Sequence, residues 1–135
     1  MNRLIPTLLI IVFCIKIAFC TTINIYAPAY KNQPITWKKK IDYITNKNEI
    51  IGHEIIDSSG YVKLYFDFTQ TELTEISIGR SHGMLYVDTS NYQYNLYFPN
   101  DTIIDKASLK KSEIQIIFLN LDKDNINSLI LDFNN

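Results

Sequence analysis

Between Gly79 and Gly83 the chain sets Arg80, Ser81 and His82 in succession. A turn could aim that guanidinium and imidazole, with its backbone amides, at one anion. No second basic cluster deepens such a site, and polar residues fill turns because turns are wet, so the segment is read first as a short hairpin connection. Ser81 and His82 also form, with Asp88, the one local Ser–His–Asp set. Gly79-Arg80-Ser81-His82-Gly83 has the Gly-x-Ser-x-Gly spacing, but the strand-like alternation on both sides makes it a hairpin connection in place of the strand-to-helix turn that strains a nucleophilic serine. His53 and Glu54 are chain neighbours in a strand-like stretch, so their side chains leave opposite faces and do not chelate one ion together. Asp122, Asp124 and Asn127 suggest calcium ligands, but the loop glycine and closing Glu of a calcium loop are missing. Cys14 and Cys20 are the two cysteines, and both fall at the N-terminus. The expectation is a non-enzymatic protein with no catalytic residues, no cofactor and no metal.

Aromatic residues offer recognition in place of catalysis. The chain has nine tyrosines and a single tryptophan, Trp37. Alternation puts Trp37 on a strand face with Ile35 and Lys39, and Tyr61 and Tyr65 on the outer face of theirs. Exposed rings on a β-sheet hold sugars or anchor protein contacts, although tyrosine also suits a half-wet sheet surface for reasons of propensity alone. The candidate ligand-binding residues are therefore Trp37, Tyr61, Tyr65, Arg80 and His82, and the candidate partners are another protein or a glycan. Nucleic acid is excluded. The formal charge is −1 from 13 basic and 14 acidic side chains, and Lys38-Lys39-Lys40 is the one basic run.

These residues have to be positioned by strands. Period-two alternation dominates residues 22–119. In its cleanest stretch, Val62, Leu64, Phe66 and Phe68 share one face while Tyr61, Lys63, Tyr65 and Asp67 share the other. Further strands are expected at 23–27, 35–41, 49–57, 73–78, 84–88, 92–98 and 114–119. Asp57-Ser58-Ser59-Gly60 reads as a tight turn in which Asp bonds the backbone and Gly takes positive φ. Short strands punctuated this way predict an all-β fold, an antiparallel β-sandwich of seven or eight strands over 21–119. From 120 to 135 the period changes. Ile126, Leu129, Ile130 and Phe133 recur at helical spacing, with Asn120 or Asp122 as cap. The helix either folds back over an open end of the sandwich or begins a helical region of a longer protein.

Residues 1–20 read as a signal peptide. Arg3 supplies the positive start, 4–19 is apolar apart from Pro6, Thr7 and Lys16, and Ala18 and Cys20 are small residues before a cut at Thr21. Loss of this segment removes both cysteines, Arg3 and Lys16, leaving a more acidic chain without thiols. Lipidation at Cys20 is the competing reading, weakened by the bulky Phe19 before it.

Asp57-Ser58-Ser59-Gly60 followed by Tyr61-Val62-Lys63-Leu64-Tyr65-Phe66 resembles the hairpin of transthyretin-like, carboxypeptidase-regulatory-like β-sandwich domains. Ile25-Tyr26-Ala27-Pro28-Ala29-Tyr30, Asp42-Tyr43-Ile44-Thr45 and Gly83-Met84-Leu85-Tyr86-Val87 are similar to the N-terminal domain of exported Bacteroidota proteins. Those proteins carry such a sandwich after the signal peptide, and many continue into a helical or thioredoxin-like domain. The resemblance spans residues 23–133. It implies an accessory or interaction domain in the periplasm or outer envelope of a Gram-negative bacterium, and further residues beyond 135. It carries over no catalytic residue, and the Cys-x-x-Cys of the thioredoxin-like partner has no counterpart here.

Overall fold

The computed structural model describes residues 20–89, 92–100 and 112–134. The expected signal peptide lies outside them. Among the described residues nine strands form two sheets, followed by one α-helix. The strands are β1 (Thr21–Tyr26), β2 (Pro34–Asp42), β3 (Lys47–Ile55), β4 (Tyr61–Phe66), β5 (Glu72–Ile78), β6 (Ser81–Val87), β7 (Gln93–Tyr97), β8 (Ser112–Glu113) and β9 (Ile117–Phe118). The helix is α1 (Ile126–Asn134). One sheet has the order β4-β1-β7-β9, the other β3-β2-β5-β6-β8. The all-β sandwich is the expected one. Most pairings are antiparallel, but β1 pairs β7 and β6 pairs β8 in parallel, so both sheets are mixed.

The core lies between the sheets and follows the alternation. Ile23, Ile25, Leu64, Phe66, Tyr94 and Leu96 point inward from the four-stranded sheet, meeting Ile35, Trp37, Ile76, Ile78, Leu85 and Val87 from the other. Tyr94 is fully buried, and its hydroxyl accepts the Asp88 N–H at 2.9 Å, so its one polar atom is not stranded. Trp37 and Phe66 meet across the sheets with ring centroids 5.9 Å apart.

Local chemistry sets the turns. Asp57 Oδ1 accepts the N–H groups of Ser59 and Tyr61, each at 2.8 Å, and Gly60 takes φ 90°. A Cβ at Gly60 would sit 2.8 Å from the Pro28 Cα, so both conformation and space require glycine. The Gly79–Gly83 connection is shorter than expected: only Gly79 and Arg80 form the turn, and Ser81 opens β6. Gly79 supplies positive φ at the first turn position, which lets two residues close the hairpin. Asp42-Tyr43-Ile44-Thr45 lies at the β2–β3 hairpin tip. The Thr45 hydroxyl and the Ile44 amide bond Asp42 there and hold its carboxyl below the ordinary 3.8.

Of the expected strand at 114–119 only β9 forms, and β8 lies just before it. β8 joins the five-stranded sheet and β9 the four-stranded sheet, so the chain crosses between them with Ile114 and Ile116 buried in the crossing. Gly83 makes room for this, since a Cβ there would lie 2.5 Å from Ile116 Cγ1. One side of the sandwich is thereby closed.

The helix corrects two expectations. Its cap is Asn125, whose Oδ1 accepts the Asn127 N–H at 3.0 Å, and neither Asn120 nor Asp122 serves. Two residues of its expected apolar stripe face outward, Leu129 at 56% and Ile130 at 38% exposed, whereas Asn127 is buried. Asn127 Oδ1 accepts the Tyr86 N–H and its Nδ2 donates to the Tyr86 carbonyl, both at 2.8 Å. One amide thus completes the edge of β6 where β8 has stopped, and that demand outranks burial of a leucine.

At one end of the sandwich Lys39 reaches the buried Glu72 at 2.7 Å and passes 5.6 Å from the Phe68 ring centroid. Burial pushes the Glu72 carboxyl up, but hydrogen bonds from Lys39 and Gln70, with the Lys39 charge, outweigh it and hold the carboxyl below 4.5. A depressed carboxyl stabilises the fold above its unfolded value and loses that contribution as pH falls through the folded one. Stability should therefore drop on acidification below 4.5. Lys39→Met should flatten this part of the curve in urea melts run from about pH 7 to about pH 3. The two faces of β4 give a second check. Phe66→Ala, an inner-face truncation, should cost about 3–5 kcal/mol, while Lys63→Ala on the outer face stays within about 0.5 kcal/mol by denaturant unfolding.

Candidate functional site

The register of the four-stranded sheet builds one continuous outer surface. Outward residues of β1 are Thr22, Asn24 and Tyr26, paired directly with Tyr65, Lys63 and Tyr61 of β4. On the other side the same three pair in parallel with Gln93, Asn95 and Tyr97 of β7, and Tyr97 pairs with Ile117 of β9. The strands therefore lay down rows: Tyr61–Tyr26–Tyr97–Ile117, then Lys63–Asn24–Asn95, then Tyr65–Thr22–Gln93.

The tyrosine row is packed ring on ring. Tyr26 and Tyr61 stack with centroids 4.5 Å apart at 25°, and Tyr97 follows at 5.9 Å from Tyr26. Rings stacked along the interstrand direction stand upright, presenting edges and hydroxyls to solvent and keeping faces for one another. The Lys63 ammonium lies 5.4 Å from the Tyr65 ring centroid and covers a face of that ring as well. In the middle row Asn24 Nδ2 donates to Asn95 Oδ1 at 2.8 Å, which leaves one amide acceptor and one donor at the surface. Asn120 extends the edge beyond β9: its Oδ1 accepts the Asn95 N–H at 2.7 Å and its Nδ2 reaches the Gln93 carbonyl at 3.5 Å. Ile117 and Leu119 are exposed beside these rows. The surface runs from apolar to polar, with Lys63 as its one charged side chain in the paired rows.

Of the residues picked out in the sequence, Tyr61 and Tyr65 lie on this surface. Trp37 does not. It is 8% exposed, inside the sandwich, with its indole over Gly52 so closely that a Cβ there would fall 2.3 Å from Cζ2. Arg80 and His82 belong to the other sheet. Arg80 completes a two-residue turn, and His82 sits within β6 opposite Ser77, its Nδ1 buried without a hydrogen-bond partner. The turn-tip placement of His82 is thus corrected, because the turn needs only two residues. Ser81 is buried, and Tyr30 donates its hydroxyl proton to Ser81 Oγ at 3.3 Å. Seven residues of strand separate it from Asp88, roughly 23 Å, which dissolves the Ser–His–Asp set. His53 is on the exposed edge strand β3. Among the described residues no three His, Cys, Asp or Glu side chains converge as metal ligands, and no helix is long and apolar enough to cross a membrane.

Sequence reasoning missed Tyr26, Tyr97, Asn24 and Asn95. A signal was present: Thr22-Ile23-Asn24-Ile25-Tyr26 and Gln93-Tyr94-Asn95-Leu96-Tyr97 share one pattern, polar, apolar, Asn, apolar, Tyr. That match is what an in-register parallel pair of strands from one sheet requires.

Compared with known proteins, the chain matches no family model, no curated protein and no solved structure.

The placement of the tryptophan has a direct optical test, because the chain contains only one. Native emission should be blue-shifted. Gly52→Ala should displace the indole, shifting emission to the red and destabilising the fold by about 1–3 kcal/mol in denaturant melts.

Proposed function

We propose that this protein is a non-enzymatic recognition module of the cell envelope, binding a protein partner through the outer face of its four-stranded sheet. The observation that carries the reading is the row Tyr61–Tyr26–Tyr97–Ile117, continued by exposed Leu119. Tyrosine edges and hydroxyls beside exposed aliphatic side chains on one sheet face suit a protein interface, where aromatic anchors supply large contact area at low entropic cost. Export to the envelope draws on the signal-like residues 1–20 and on the resemblance to sandwich domains of exported Bacteroidota proteins. A glycan is the second reading, favoured by the Asn24–Asn95 amide pair, whose free acceptor and donor match sugar hydroxyls. It is weakened by the burial of Trp37 and by the covered ring faces of Tyr26, Tyr61 and Tyr65.

The test is site-specific photo-crosslinking of the full chain in its native cell, with the reactive side chain at Tyr97 or, as control, at Ile50 on the other sheet. A discrete protein adduct should form from Tyr97 alone and fall about tenfold or more in an Ile117→Asp background. Adducts from both positions, or from neither, overturn the reading. Glycan binding lost in Tyr65→Ala would transfer it to the second.

A further inference from the structure

Among the described residues the two sheets differ in width, and the difference leaves one strand position without an occupant. The four-stranded sheet ends at β4 and the five-stranded sheet at β3, on the same side of the sandwich. Trp37 of β2 packs against Phe66 of β4, so β4 lies over β2, and β3, exposed along most of its length, overhangs the four-stranded sheet. The inward face of β3 is identified by register: Glu54 pairs with buried Ile35, Gly52 with buried Trp37, and Glu49 with Lys39, which points toward buried Glu72. Yet Glu49 and Glu54 are exposed, and neither carboxylate has a hydrogen bond or ion pair among the described residues.

The edge of β4 is open above that face. Tyr61 turns its N–H and C=O away from β1, and the Asp57 loop takes both, the amide at 2.8 Å and the carbonyl at 2.9 Å. By the two-residue period, the N–H and C=O groups of Lys63 and Tyr65 face the same way, and no strand among the described residues meets them there. On this side the chain crosses between the sheets in the β3–β4 connection, which buries Ile56. On the opposite side the β8–β9 crossing is joined by the Asn120 and Asn127 amides, which also finish its edges.

We propose that this lane receives one extended strand from a partner protein, pairing with Lys63 and Tyr65 and carrying a basic side chain two positions either side of an apolar one. The lane's chemistry sets that pattern. Glu49 and Glu54 pair with β2 residues four apart, about 13 Å along a strand, which matches positions i and i+4 of an added strand. Between them the Trp37 indole fills the space over Gly52, so the side chain at i+2 rests on the outer edge of that indole. A second copy of the sandwich docked edge to edge is disfavoured, because β3 already occupies the space under the added strand. The alternate residues of that strand would continue the outer surface beside Tyr61, Lys63 and Tyr65, so the inference rests on the protein-recognition reading and deepens it.

The test titrates the full chain with two synthetic peptides, Thr-Lys-Thr-Leu-Thr-Lys-Thr and the same sequence with Glu for both lysines. The Lys peptide should saturably change Trp37 emission and slow amide exchange at Lys63 and Tyr65. Glu49→Lys with Glu54→Lys, both exposed positions, should weaken that peptide about tenfold or more and admit the Glu peptide. Equal binding of both peptides, unprotected Lys63 and Tyr65 amides, or protection that rises with protein concentration alone overturns the proposal. If the Lys peptide is ignored while the Tyr97 adduct persists, the strand site falls and the outer-face reading stands. Loss of both ends both.

Discussion

The parallel, in-register pairing of β1 with β7 is the constraint on which the rest of the molecule depends. It joins segments some seventy residues apart and fixes both faces of one sheet at once. Inward, it sets Ile23 and Ile25 beside Tyr94 and Leu96. Outward, it sets Asn24 beside Asn95 and Tyr26 beside Tyr97. A slip of one residue would exchange the two sets, moving asparagines into the core and leucine into water. β4 and β9 then add to the two sides of this pair, and the tyrosine row extends with them.

Unequal sheet width is the second organising fact. A four-stranded sheet cannot cover a five-stranded one, so one edge strand must overhang, and here it is β3. Long edge strands invite unwanted pairing, and β3 carries partial safeguards: a register irregularity opposite Trp37 and Lys38, and charged residues along its length. The other side is finished with amide side chains that act as one-residue strands. Asn127 does this for Tyr86 and Asn120 for Asn95. Those two asparagines explain why the tail follows its path across β6 and β7. Among the described residues the β8–β9 flank has its edges finished, and the β3–β4 flank, crossed by the connection that buries Ile56, keeps open edges beside the tyrosine surface.

The residues that first suggested chemistry are dispersed by the same architecture. Ser81 and Asp88 mark opposite ends of one strand, His53 lies at the far edge of its sheet, and His82 is a strand residue in place of a turn tip. Convergence of reactive groups needs a cleft or a bent loop cluster. The described residues instead form two sheets whose shared interior is filled by apolar and aromatic side chains, and the cavity beside α1, lined by Met84, Ile116, Phe118, Ile130 and Leu131, holds no cluster of reactive groups. A broad sheet surface suits recognition by area and edge pairing.

The sequence by itself determined the β character, the inward and outward face of each strand, and the Asp57–Gly60 turn. These depend on side-chain alternation and on one residue's backbone freedom, both written locally. It placed Tyr61 and Tyr65 outward for that reason. It placed Trp37 with the correct neighbours, Ile35 and Lys39, but alternation does not say whether a face is covered, and only the β4 sheet above buries the indole. Which strands are neighbours, that β1 meets β7 in parallel, and that β3 overhangs were decided by tertiary structure alone. So was the buried face of α1, where periodicity favours Leu129 and Ile130 but the bare N–H and C=O of Tyr86 claim Asn127. A backbone group with no partner imposes its cost only once an edge exists, and the edge exists only after the sheet has been assembled.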